Sequence, residues 1–315
     1  MTPEAWLAVA GREYFAGFVR EGGAAVKVLT PADDLSRLAL QEGLHTLAEE
    51  GGYQFASVNA ATTRLHMIEK LFGSVAQQVD WDACTRAFLA QLFSTQGLKL
   101  PEGDITMAAV AGLNSYAETL FRRDVSNWLD RAILHDYAMS REYRFAMLQL
   151  CLTQLDPTNA PELGQSVKQW LRGELRLITT VKRAGIFQRI ARHNARHMLD
   201  SLVHWLTLTG HGGLVLVLDI RRYAQTVRTT ERDGTSLYYG TAAALDAYEV
   251  VRECIDATDE LAHCFIAVIT GQEFLHDERR GLRSYQALYL RVADEVRDRH
   301  RQNPLASLVR LEAAS

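Results

Sequence analysis

Five short segments, the mostly apolar Ala24 to Leu29, Tyr53 to Asn59, the apolar Leu214 to Leu218 and Cys264 to Ile269, and Leu308 to Leu311, read as strands separated by segments of helical periodicity. Consecutive apolar positions, rather than alternating ones, suit strands buried on both faces. Strands that are joined through helices cannot pair by tight hairpins, so they must lie parallel, with the helices as crossovers on the two faces. The expected class is therefore α/β, a parallel sheet in three layers. A helix over 4–21 carries Trp6, Leu7, Val9, Tyr14, Phe15 and Phe18 at helical spacing and ends at Gly22-Gly23. A second, over 31–49, ends at Gly51-Gly52. Its start reads as Thr30-Pro31-Ala32-Asp33, with Pro31 in the first helical position and a capping box between Thr30 and Asp33. Late in the chain, helices are expected over 239–258 and near 284–302.

From 61 to 209 no strand pattern occurs, and helical patterns recur in TTRLHMIEKLFGSVAQQV, WDACTRAFLAQLF and YAETLFRRDVSNWLDRAILHDYA. LKLPEGD (98–104) and LDPTNAPELG (155–164) are expected as loops. Three parts follow: 1–60 as the first part of the α/β core, 61–209 as a large helical insertion, and 210–315 as the second part of the core.

The run Leu214 to Leu218 ends in Asp219, followed by Ile220. An acid at the carboxyl end of a buried strand is how P-loop nucleotidases hold Mg2+, and a second acid beside it would orient the attacking water. Ile220 cannot do that. Such a site also needs a glycine-rich loop with Lys and a hydroxyl. Aligning that pattern on Pro31 to Leu38 places Pro31 and Ser36 at the glycines, Arg37 at the lysine and Leu38 at the hydroxyl, with Asp33 and Asp34 beside the polyphosphate. Only the positive charge survives. A unit charge at about 4 Å opposes the phosphates by about 1 kcal/mol even in water. Two readings stand: a helix start that caps itself, or a remodelled loop that still binds nucleotide through Arg37. Thr270, after the fourth strand, takes the place of a polar sensor residue.

Other groups have competing explanations. Lys168, Arg172, Arg176, Lys182, Arg183, Arg189, Arg192 and Arg196 face a single acid, Glu174, within 168–196, although the formal net charge of the whole chain is -4. This stretch reads either as a contact for nucleic acid or an acidic partner, or as a solvated helix face. Arg279, Arg280, Arg283 and Arg291 follow the Thr270 strand, where ring ATPases send an arginine to a neighbouring subunit. The alternative is surface pairing of the kind Asp294 can make with Arg297 and Asp298 with Arg301. His193, His197 and His204 fall on one helix face, but Asn194 replaces the Glu that zinc peptidases need, so no metal site is expected. Cys84, Cys151, Cys254 and Cys264 form no C-x-x-C pair, which points to a reducing cytoplasm rather than a disulfide framework. The acidic start and the lack of a long apolar run argue against secretion and membrane insertion.

With these residues in place, the chain resembles the BREX-type ATP-binding protein family of bacterial anti-phage defence, which also supplies an ATPase-like subunit to Shango-type systems. REYFAGFVREGGAAVKVL is similar to the family's helix, Gly-Gly and first strand, VKRAG precedes the long helix, GHGGLVLVLD is similar to its Walker B strand, and FIAVITGQEFL to its sensor strand. The resemblance implies a P-loop NTPase-like fold acting with other defence subunits, often a helicase or a nucleic-acid-modifying enzyme. It places the phosphate loop on Pro31 to Leu38, the Walker B acid on Asp219 with Ile220 in place of its partner, the sensor on Thr270 and a finger arginine near Arg283 or Arg291. A carboxyl-terminal lid domain is expected to be missing. The function expected is a catalytically degenerate ATPase-like subunit that assembles with or regulates a catalytic partner, with no cofactor. The alternatives are an ATP- and Mg2+-binding ATPase with a divergent loop, and a nucleic-acid-binding module.

Overall fold

The computed structural model describes residues 1–226, 234, 236–293 and 303–313. The chain divides into two compact units, Met1–Val75 with Gly212–Ser315, and Ala76–His211.

The first unit is built on a five-stranded parallel sheet of β1 (Ala24–Thr30), β2 (Gln54–Asn59), β3 (Leu214–Asp219), β4 (Cys264–Ile269) and β5 (Leu308–Arg310), in the order β2-β3-β4-β1-β5. Every residue of β1, β3 and β4 is buried, as continuous apolar runs require of strands covered on both faces. On one face, Ala25, Leu29, Val215, Val217, Phe265, Ala267 and Ile269 pack with Trp6, Phe15, Leu40 and Leu44 from α1 (Pro3–Ala10), its continuation, and α2 (Asp34–Glu50). Phe15 is the hub of that core, its ring 5.0 Å from Phe265 and 5.6 Å from Tyr53, whose hydroxyl donates to the Phe15 carbonyl at 2.8 Å. Val26, Val28, Leu216, Leu218, Ile266 and Val268 are buried on the opposite face, which gives the sheet its third layer.

Lys27 lies buried among the apolar residues of β1. Its ammonium is satisfied by the carbonyls of Leu305 at 2.5 Å and Ala306 at 3.2 Å and lies over the Tyr14 ring. This cation stitches β1 to the segment that leads into β5.

Two sequence expectations change here. The helix expected over 4–21 is α-helical only to Ala10; Gly11–Phe18 continue as a π-helix, closed by Val19 N–H donating to the Tyr14 carbonyl at 2.9 Å. The second helix begins at Asp34, not Pro31. Thr30 stays in β1 because its carbonyl, which a cap would give to the first turn of the helix, accepts from Leu311 N–H at 2.9 Å, and its hydroxyl lies 2.8 Å from that of Thr270. The cap is Asp33, whose Oδ1 accepts from Ser36 N–H at 2.7 Å; the capping box on Thr30 does not form.

The remaining helices of this unit are short or lie toward its end. α3 (Ile68–Ala76) runs across the boundary between the units. The second unit holds α4 (Trp81–Thr95), α5 (Met107–Leu113), α6 (Glu118–Leu129), α7 (Arg141–Leu155), α8 (Pro161–Leu171) and α9 (Ala195–Leu208), with no strand between Ala76 and His211. Asp80, Thr106 and Ser140 cap three of them through their side chains. Phe88 packs on Trp205 at 4.6 Å, and Phe93 on Phe121 at 5.8 Å. The loop expected over 155–164 is shorter than that, because Pro161 takes the first position of α8 after a left-handed Ala160 (φ 55°).

Back in the first unit, α10 (Arg221–Ala224) follows β3, α11 (Thr241–Asp256) precedes β4, and α12 (Gln272–His276) and α13 (Gln286–Val292) follow it. The helix expected near 284–302 is described only as α13; Asp294, Arg297, Asp298 and Arg301 lie outside the described residues.

Candidate functional site

In an open parallel sheet, ligands bind beyond the carboxyl ends of the strands. Here the register sets those ends side by side. Asn59 of β2 pairs with Asp219 of β3, Asp219 with Ile269 of β4, and the Leu29 carbonyl of β1 accepts from Thr270 N–H at 2.9 Å. Asp219, Thr270 and the start of α2 therefore lie at one end of the sheet.

The chemistry at that edge is internal to the protein. Asp219 is 2 % exposed, and its carboxylate is gripped by Arg221, two residues on: Nε lies 3.0 Å from Oδ1 and Nη2 3.0 Å from Oδ2, with the Arg221 backbone N–H on Oδ1 at 3.2 Å. The same guanidinium reaches Asp34 Oδ1 at 2.8 Å through Nη1. One fixed cation thus bridges the acid of β3 to the first turn of α2, where a Mg2+ site would hold a mobile one. Burial by itself lowers the Arg221 pKa, but the hydrogen bonds and charges of Asp219 and Asp34 outweigh it, so the guanidinium is held above its ordinary range. Asp34 is held below the usual carboxylate range, first by Arg37 and then by Arg221. Ile220, at the place of a second acid, is 3 % exposed and part of the core.

The loop between β1 and α2 consists of Pro31, Ala32 and Asp33. Pro31 has no N–H to offer, and its carbonyl accepts from Gln272 Nε2 at 3.3 Å. Ser36, at a glycine place, is fully buried, with Oγ 2.7 Å from Asp33 Oδ1 and 3.3 Å from the Glu312 carbonyl. These Ser36 bonds, side chain first and backbone second, hold Asp33 below the usual carboxylate range. Arg37, at the lysine place, donates to Asp34 at 3.0 Å and Gln41 at 2.7 Å. Leu38, at the hydroxyl place, is exposed, as is Leu35. The Thr270 hydroxyl lies 2.8 Å from that of Thr30 and 3.3 Å from the Leu29 carbonyl, so it is engaged inside the sheet.

The candidate arginines part company. Arg291 is tied to Asp256, with Nη2 at 2.9 Å from Oδ2, in a network where Arg252 donates to Glu249 and Tyr285 donates to the same carboxylate. That network pulls Glu249 down to about 2, through Arg252 first and Tyr285 second. Arg283 is exposed and makes no ion pair among the described residues.

The histidines do not form a triad. α9 begins at Ala195, which leaves His193 ahead of it beside Gln188 at 3.4 Å, while His204 lies 2.7 Å from Asp136. Among the described residues no group of three His, Cys, Asp or Glu is placed to hold a metal, and no helix is long and apolar enough to cross a membrane. The four cysteines are buried and none is in a disulfide.

Of the eight cations between 168 and 196, Lys168 is paired with Asp82 at 2.6 Å and Arg172 is half-buried, its Nε without a partner. Arg176, Lys182, Arg183, Arg189, Arg192 and Arg196 are exposed. The residue that reading by motif passed over is Arg221. The signal was present in the sequence as a cation two places after Asp219, but no rule of spacing distinguishes a bridging arginine from a surface one.

The sequence profile of the family described as BREX system ATP-binding protein BrxC/D matches residues 48–315. That segment takes in β2 to β5 with Asp219 and Thr270, while β1 and Pro31 to Leu38 lie ahead of it. No curated protein and no solved structure matches the chain.

Proposed function

This chain belongs to the BREX system ATP-binding protein family, and we propose that it serves a multi-subunit defence system as an ATPase-like subunit whose own nucleotide site is idle. The observation that carries this reading is the Arg221 bridge. A guanidinium bound to Asp219 and Asp34 already occupies the carboxylates that a divalent cation would need, so a metal could bind them only after Arg221 is displaced. The three-residue loop capped by Asp33 supports the same conclusion, because the helix start has its anion supplied by the chain itself. ATP and Mg2+ are then not cofactors of this subunit.

What the family scaffold keeps is the sheet, and its role is assembly with a catalytic partner, a helicase or an active ATPase, in which Arg283 can reach across to a neighbour's nucleotide. The test is to co-express the tagged chain with the other subunits of its defence system. The account expects an assembly that hydrolyses ATP and an isolated chain that does not. An isolated chain that turns ATP over as fast as the assembly, with the rate falling on Asp219→Asn, would overturn it.

A further inference from the structure

The connector between α8 and α9 carries a site that the reading above does not use. It is pinned as a compact piece: Trp170 Nε1 donates to the Gln188 carbonyl at 2.8 Å, Asn194 Nδ2 to the Arg189 carbonyl at 3.1 Å, and Arg189 Nη2 to the Arg176 carbonyl. Ile186 is fully buried and holds the connector down, whereas its neighbour Phe187 is 54 % exposed. Leu177, next to Arg176, is 64 % exposed. A large aromatic ring kept in water on a restrained backbone forgoes about 1.5–3 kcal/mol of burial. Single exposed apolar residues are common, so the ring alone carries nothing.

Its surroundings do. Arg176, Lys182, Arg183, Arg189 and Arg192 are exposed on the same connector and none has a carboxylate partner among the described residues. Glu174, the one acid of the stretch, also forms no ion pair there. The charge is therefore not balanced by acids brought in from other helices, as it is for Lys168 and Asp82. Exposed cations on the same short connector as an exposed aromatic ring are what single-stranded nucleic acid takes: phosphates on the guanidinium and ammonium groups, a base on the ring.

We infer that the connector 172–194 is a binding site for single-stranded nucleic acid, with Phe187 as the stacking residue and Arg176, Lys182, Arg183, Arg189 and Arg192 as the phosphate contacts. An acidic protein face would also satisfy the cations, and competition by polyglutamate separates it from nucleic acid below; duplex DNA keeps its bases stacked away from the ring. The inference stands independently of whether the nucleotide site is idle.

Fluorescence anisotropy on the intact chain, with a labelled oligothymidylate of about 20 nucleotides, tests it. Saturable binding is expected at about 50 mM salt, weakening about 100-fold by 200 mM, the slope of about −3.5 expected when the five cations each neutralise one phosphate on a single strand. Phe187→Ala is expected to weaken binding at least about 5-fold without changing that slope. Lys182→Gln, Arg183→Gln and Arg192→Gln together, at side chains that hold no hydrogen bond among the described residues, should flatten the slope by about 2 with an unchanged melting temperature. No binding at 50 mM salt, polyglutamate competing as well as the oligonucleotide, or duplex bound as tightly with Phe187→Ala without effect would each overturn the proposal.

Discussion

Arg221→Met is expected to lower stability by about 2–4 kcal/mol, a large effect for a residue that is a quarter exposed. Its guanidinium supplies two of the closest donors to a carboxylate that is 2 % exposed; without it Asp219 keeps, among the described residues, the Arg221 backbone N–H at 3.2 Å and the Asn59 amide at 3.5 Å. Breaking a buried pair by removing one partner costs about 3–5 kcal/mol, because the other charge stays buried. Water reaching the vacated space through the 24 % exposed Arg221 side lowers that toward the smaller figure. Asp219→Asn added to Arg221→Met should recover most of the loss, since no unpaired charge is then left. Mg2+ at about 10 mM is expected to recover part of it in Arg221→Met alone, by binding the vacated carboxylates, and to leave the unaltered chain unchanged. Thermal or urea unfolding with these variants reads all three. An Arg221→Met protein as stable as the parent would remove the bridge as a structural element.

Gly213→Ala is the second large effect, with an expected loss of about 4 kcal/mol or more. Gly213 has φ +125°, and a Cβ there would meet the His263 carbonyl oxygen at 1.9 Å and its Cβ at 2.7 Å. The neighbours that would have to yield are backbone. That same carbonyl accepts from Leu214 N–H at 2.9 Å, and the Gly213 carbonyl accepts from Gln54 N–H at 2.9 Å, so any shift breaks the start of β2, β3 and β4 together. Gly52→Ala is the matched control: φ is +70°, and nothing lies within 4 Å of the added carbon. It should cost only the about 1–2 kcal/mol of a left-handed non-glycine residue. Soluble yield and the urea midpoint measure both, and equal losses for the two would refute the close approach at His263.

The sheet was legible because strands buried on both faces read as apolar runs: β4 is unbroken, β3 is apolar up to Asp219, and β1 is interrupted by Lys27 before it ends in Thr30. Asp219 was legible as the acid that ends one of them. What could not be read was anything that joins distant residues. Arg221 acquires its meaning from Asp34, 187 positions away, and Lys168 loses its availability to Asp82, 86 positions away. The helix start was misplaced for the same reason: Thr30 is held in the sheet by Leu311 and by Thr270, 240 positions away, which leaves the cap to Asp33. The three histidines were read on one helix that begins only at Ala195, so their periodicity was an accident of spacing.

The parallel sheet is P-loop-like, and beyond β3 Arg221 binds both Asp219 and Asp34; the proposal of an idle nucleotide site rests on that contact. Calorimetric titration of the isolated chain with ATP in the presence of Mg2+ tests this most directly. The account predicts no saturable heat at nucleotide concentrations up to the millimolar range, and none on Arg37→Ala or Asp219→Ala. Binding of one ATP per chain, abolished by Asp219→Ala, would contradict it.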